Sequence, residues 1–283
     1  MLRGLALLFS LCLAAPLAAQ EVDAELLLLV DVSRSMSPTE LDLQRRGYAE
    51  ALRSAPVAEV IGRGMIGQIA LSYVEWAGSG TYRVVQDWTM IDGPDDLERV
   101  AQTLSDWRAG TLSRTSISGA LYYGADSLDS NTFQGLRRII DISGDGPNNQ
   151  GRPAPEARDA VVARGITING LPLMTRDGLG GSRLADLDVY YERCVIGGPG
   201  AFVIAVRDWE DFAAAVTRKL VLELAGGPFD PIPVPSPVPS PVPSPVPSPG
   251  PSPERIWPTQ ATPYDCLIGE RMWFQRNRNF GVN

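Results

Sequence analysis

The sequence contains no histidine. That removes the usual general base, every imidazole metal ligand and any Ser-His-Asp triad, and so argues against a hydrolase. Lysine is nearly as scarce: Lys219 is the only one, and 33 acidic residues against 25 basic ones leave a net charge of -8. A phosphate-tracking surface for nucleic acid is therefore not expected. Beyond the N terminus no apolar run approaches the roughly 20 residues that a membrane span requires. Cysteine is limited to three residues, Cys12, Cys194 and Cys266, and only the last two remain after the expected cleavage.

What is present begins with a basic Arg3, an apolar stretch from Leu5 to Leu13 and small residues at Ala18 and Ala19. This reads as a secretory signal peptide over residues 1–19, cut before Gln20, with an apolar core too short for an anchor. Leu11 before Cys12 is not the small residue that a lipid-modification site wants. The chain is thus expected to be exported, periplasmic or extracellular.

After the leader, strand and helix patterns alternate. Glu25 to Val30 is continuously apolar after its first residue, as in a strand covered on both faces, and it ends at Asp31. Ser37-Pro38-Thr39-Glu40 is a capping box with proline at the first helical position, predicting a helix from Pro38 to about Ser54. Gln68 to Trp76 and Tyr82 to Ile91 read as antiparallel strands joined through Ala77-Gly78-Ser79-Gly80. Helices are expected over Pro94 to Trp107, Ser116 to Leu128 and Pro155 to Ala163, and strands over Arg138 to Ser143, Ile166 to Leu171 and Ala201 to Val206. A closing helix starts near Trp209, buries Phe212, Val216 and Leu220, and stops at Gly226-Gly227. Arg218 and Lys219 near its end suit the macrodipole.

This alternation predicts a doubly wound α/β sheet of six strands, mostly parallel, with one antiparallel edge strand. The expected domain covers residues 22–226. Ligands of such sheets bind past the carboxyl ends of strands where strand order reverses, and an order of 3-2-1-4-5-6 makes the strands ending at Asp31 and Asp145 neighbours. Residues 227–253 then repeat Pro-Val-Pro-Ser, an extended arm spanning on the order of 70 Å if straight. Residues 254–283 form a short tail rich in aromatics and arginine, too small for a core of its own.

Three polar clusters stand where strands run out: Asp31-Val-Ser33-Arg-Ser35, Thr115, and Ser143-Gly-Asp145-Gly. They offer only oxygen, from two carboxylates and three hydroxyls, which a hard cation such as Mg²⁺, Mn²⁺ or Ca²⁺ accepts. Arg34, Arg114 and Asn148 are candidate rim residues for a ligand. Either arginine could clamp a carboxylate bidentately or be a solvated loop residue. Glu75 and Trp76 read as packing or turn residues.

These motifs resemble the von Willebrand factor A fold, whose metal-ion-dependent adhesion site uses Asp-x-Ser-x-Ser, a distant threonine and a distant aspartate. More narrowly, Tyr73-Val-Glu-Trp76, the run from Ser143 to Asn149 and the run from Cys194 to Phe202 look like a bacterial family catalogued as domain of unknown function 1194. The resemblance implies direct coordination by Ser33 and Ser35, coordination by Thr115 directly or through water, and largely water-mediated contacts from Asp31 and Asp145. A partner carboxylate would complete the octahedron. The sequence departs from the common pattern at Arg34, where glycine is usual, at Ser113-Arg114, which replaces a glycine pair, and at Gly144, which replaces threonine.

The resulting expectation is an exported, non-catalytic module that captures a protein or glycan partner through a divalent metal. The alternatives are a Mg²⁺-dependent phosphate-ester hydrolase and a structural cell-envelope component whose tail is a docking peptide. Cys194 and Cys266 would meet oxidising conditions after export. Their pairing within the chain stands beside free thiols and pairing between chains, because a straight proline arm would carry Cys266 away unless it bends, for instance at Gly250.

Overall fold

A computed structural model describes residues 19–108, 110–175, 184–225 and 264–279. The expected signal peptide up to residue 18, the expected helix stop at Gly226-Gly227 and the Pro-Val-Pro-Ser arm lie outside the described residues. In chain order the elements are β1 (Gln20–Val22), β2 (Ala24–Asp31), α1 (Pro38–Arg53), α2 (Ala55–Gly62), β3 (Ile69–Trp76), β4 (Tyr82–Ile91), α3 (Pro94–Asp106), α4 (Ile117–Ser130) and β5 (Phe133–Gly135). There follow β6 (Arg138–Gly144), α5 (Ala154–Val162), β7 (Ile166–Pro172), α6 (Leu187–Tyr190), α7 (Phe212–Leu224) and α8 (Ile268–Asn279).

The main sheet has the order β4-β3-β2-β6-β7. All its pairings are parallel except β3 with β4. Counting only these strands along the chain, the order is 3-2-1-4-5, so the crossovers diverge on either side of β2. Every residue of β2 is buried, because helices cover both faces and the strand carries apolar side chains in both directions. Leu26, Leu28 and Val30 pack with α1, α2, α3 and α7. Leu27 and Leu29 face α4, α5 and the turn from Tyr191 to Val195.

The expected sixth strand is only partly realised. Residues 201–206 follow β7 through two isolated parallel bridges, Gly170 with Val203 and Leu173 with Val206. Part of the reason is local, since the N–H of Phe202 donates to the side-chain Oδ1 of Asn169 at 3.1 Å rather than to a strand carbonyl. A separate two-stranded sheet, β1 with β5, and the short helix α2 were not foreseen.

Lys219 goes beyond its sequence reading. Besides suiting the helix end, it is fully buried on the inner face of α7. Its Nζ lies 2.8 Å from Asp141 Oδ1, pairs with Glu223, and sits 5.3 Å from the centre of the Phe202 ring. Asn169 Nδ2 donates to Glu223 Oε1 at 2.9 Å. One ammonium thus serves two buried carboxylates. Burial pushes Glu223 up to about 7, nearby Asp141 pushes it the same way, and Lys219 and Asn169 pull against both. Burial likewise raises Asp141 against the pull of Lys219.

Glu75 takes the packing role of its two expected readings: it is buried, 3.0 Å from Arg45 Nε and 3.6 Å from Arg83 Nη1. Asp23 gathers the N–H groups of Ile66, Gly67 and Gln68, at 2.7 to 3.3 Å, into the turn that leads into β3.

Lys219→Met leaves Asp141 and Glu223 without their cation, and urea unfolding at neutral pH is expected to show a loss of about 3–5 kcal/mol. Glu223 adds a pH signature. Its folded pKa lies above its unfolded value, so its contribution is complete below about 4.5 and is lost as pH rises through about 7. Glu223→Gln is expected to flatten that decline, as read from melting temperature against pH.

Candidate metal centre

β2 runs out at Asp31, whose Oδ1 accepts the N–H of Ser33 at 2.7 Å and so turns the chain immediately after the strand. From α1, Gln44 Nε2 donates to the Asp31 carbonyl at 3.1 Å. The capping box closes as expected: Ser37 N–H donates to Glu40 Oε2 at 2.7 Å, and Glu40 N–H to Ser37 Oγ at 3.2 Å. Ser33 and Ser35 are fixed between these two anchors. Their hydroxyls are 3.0 Å apart, and Ser35 Oγ donates to Asp145 Oδ1 at 2.6 Å. That bond joins the turn after β2 to the end of β6 across 110 positions of sequence.

Asp31 is fully buried, and its second oxygen, Oδ2, has no hydrogen-bond partner. Burial raises its pKa well above the usual carboxylate range, the charge of Asp145 raises it further, and hydrogen bonds from Ser33 and the Asp145 backbone oppose both. Gly144 explains how the two acids come so close. A Cβ there would lie 2.8 Å from Tyr191 Oη and 3.0 Å from Asp31 Oδ2, so the threonine of the common pattern has no room. Tyr191 Oη is itself buried and unpartnered.

Thr115 arrives on a loop held at several points. Leu112 N–H donates to the Val32 carbonyl at 2.8 Å, and Gly78 N–H to the Ser113 carbonyl at 3.1 Å. Thr115 N–H donates to Asn149 Oδ1 at 3.0 Å, and Asn149 N–H returns to the Thr115 carbonyl at 2.9 Å. The loop is therefore stitched to the residue after Asp31 and to the residues after Asp145. Thr115 itself is buried. Arg114 has φ 71°, the one non-glycine residue with positive φ among the described residues. The glycine usual at this place would take that conformation without strain.

The donor set is two carboxylates and three hydroxyls, and among the described residues no three acid, cysteine or histidine side chains cluster as a ready metal cage. The residues fit a hard divalent cation that keeps part of its water. A buried carboxylate oxygen without a partner, beside a second carboxylate, is the feature that a cation would satisfy.

The rim candidates fare differently. Arg34 is exposed and makes no ion pair among the described residues, as a solvated loop residue would. Arg114 lies under the tail, its guanidinium 4.6 Å from the Trp273 ring centre. Asn148 is not a rim ligand: it is fully buried, its Oδ1 accepts Ser118 N–H at 3.1 Å, and its Nδ2 donates to Arg152 O at 3.0 Å and to Glu270 Oε1 at 2.7 Å. Its amide is consumed in fastening the loop to α4. Sequence reasoning missed the buckling role of Asn149, the Gln44 contact and Tyr191. Only Asn149 had a signal, its place four residues after Asp145. Cys194 and Cys266 are disulfide-bonded, with Cα atoms 5.6 Å apart, which brings the tail back onto the domain.

Residues 21–228 match the family described as protein of unknown function, DUF1194. The chain belongs to that family. No curated protein matches the sequence. In shape this DUF1194 chain is similar to the pilus adhesin SpaC from Lactobacillus rhamnosus GG, with a TM-score of 0.52 and 12% identity over 72% of this chain and 31% of the adhesin. A von Willebrand factor type A structure from Catenulispora acidiphila gives a TM-score of 0.52 and 14% identity, over 72% of this chain and 43% of that one. The conserved hypothetical protein BatB from Bacteroides thetaiotaomicron gives 0.50 and 15%, over 72% of this chain and all of BatB. At these identities the likeness is one of fold, the von Willebrand factor A fold. The chain spans about a third of the adhesin's length.

Gly144→Ala forces Tyr191 or Asp31 to shift and is expected to cost about 1–3 kcal/mol in urea unfolding. Tyr191→Phe, which removes the nearest obstructing atom, is expected to recover part of that loss. No recovery in the double variant would mean that the obstruction lies elsewhere.

Proposed function

We propose that this DUF1194 protein is an exported, non-catalytic binding module that captures a protein or glycan partner through a divalent metal. Asp31, Ser33, Ser35, Thr115 and Asp145 would hold the ion, which is Mg²⁺ or another hard cation such as Mn²⁺ or Ca²⁺. The metal, when bound, supplies a Lewis-acidic position for a carboxylate oxygen of the partner. The chain's own part is to fix the oxygens beforehand. Ser33 and Ser35 are held by the Asp31 turn and the α1 cap, Asp145 is drawn to Ser35, and Thr115 is bound to Asn149.

The observation that carries this reading is the hydroxyl–carboxylate chain Ser33–Ser35–Asp145 beside the unpartnered Asp31 Oδ2. Unlike Asp141 and Glu223, which share Lys219, Asp31 has a second acid beside it and no ion pair among the described residues, a burial that opposes folding unless a cation is bound. The pilus adhesin among the fold neighbours supports a binding role. The Cys194–Cys266 bond supports an oxidising compartment, and no helix among the described residues is long and apolar enough to cross a membrane. The reading of a structural envelope component with the tail as docking peptide has less support, since α8 makes contacts with its own domain.

Calorimetric titration with Mg²⁺ and Mn²⁺ is expected to give one site, weakened by more than about tenfold in Asp31→Asn and Asp145→Asn. Without metal, Asp31→Asn is expected to melt a few degrees higher than the native protein, because a buried charge is removed. Absence of any binding heat in the native chain, or equal affinity in both variants, would remove the proposal.

A further inference from the structure

The tail helix α8 reaches both loops that complete the candidate site. With 12 residues it is about as short as an isolated helix can be and still persist in water, so its order depends on what it docks against. Cys266, two residues before the helix, is bonded to Cys194. Tyr264 Oη donates to Asp186 Oδ2 at 3.1 Å. Gly269 lies flush on the loop after Asp145: a Cβ there would stand 2.0 Å from the Asn148 carbonyl oxygen. Glu270 Oε1 accepts from Asn148 Nδ2 at 2.7 Å. Trp273, three and four positions further on and hence on the same helical face, stacks over Arg114 at 4.6 Å.

Arg114 is where strain is stored, with its positive φ immediately before Thr115. Such a conformation persists only where the surroundings over-determine it. We propose that α8 is a disulfide-held strap across the two loops, and that Trp273 is a positioning residue which keeps Arg114 in its strained conformation and Thr115 aimed at the metal. The inference rests on the metal-binding reading above and deepens it. The family match ends at residue 228, so the strap is a feature of this chain outside the matched region.

The test uses the full oxidised chain, its Cys266→Ser and Trp273→Ala variants, and each variant combined with Arg114→Gly. Mn²⁺ affinity is measured by calorimetry, and hydrogen exchange of residues 111–116 and 146–150 is measured without metal. Loss of the strap is expected to weaken Mn²⁺ binding by about tenfold, the factor that relief of one left-handed residue supplies, and to speed exchange in both loops. Arg114→Gly is expected to restore the affinity, because glycine takes the required φ without a strap. Unchanged affinity and exchange in both variants would overturn the strap, and weakening that glycine does not restore would overturn its strain-holding role. If no protein binds Mn²⁺, the metal reading falls, while faster exchange in Cys266→Ser alone still supports the strap and unchanged exchange removes it.

Discussion

The structure depends on two parallel strands, β2 and β6, lying side by side at the point where the crossovers diverge. Val30 stands opposite Ser143, so the residues that follow, Asp31 on one strand and Gly144-Asp145 on the other, leave the sheet at the same level. Only the loop that carries Thr115 has to reach for the site. Because β2 is buried on both faces, the register with β6 is set by apolar packing in both directions, and a one-residue slip would misplace the whole strand. The polar cluster at the sheet edge is positioned by the hydrophobic core beneath it.

Against that background the buried charges divide into two kinds. In one cluster Lys219 stands between Asp141 and Glu223, and in another Arg45 and Arg83 face Glu75, so each of these acids has a cation beside it although Asp141 Oδ2, Glu223 Oε2 and Glu75 Oε2 lack hydrogen-bond donors. Asp31 is different. It makes no ion pair among the described residues, and the charge beside its buried Oδ2 is the like charge of Asp145. Burial of that kind opposes folding unless something external compensates. The contrast within one molecule separates the metal-centre candidate from ordinary internal ion pairs.

Much of this was legible in the residues because the signals are local. The capping box at Ser37, the unbroken apolar run before Asp31, and the alternation of strand and helix predicted the elements of the main sheet within one or two residues, and with them the meeting of Asp31 and Asp145. What was not legible depends on partners remote in sequence. Nothing in the helical pattern around Lys219 reveals that Asp141, 78 positions earlier, takes it inward. Asn148 resembles any turn asparagine until α4 and α8 supply its bonds. The tail read as an isolated aromatic segment because its anchor, Cys194, lies beyond a long proline arm.

The central claim is that oxygens from three separated loops hold a single hard cation. Diffraction from crystals of the full oxidised chain grown with Mn²⁺, measured to locate anomalous scattering, tests it most directly. One strong peak is expected within coordination distance of Ser33 Oγ and Ser35 Oγ, with Thr115 and Asp145 in contact directly or through one water. A peak confined to other acidic residues, or none at this site with Mn²⁺ in excess, would contradict it.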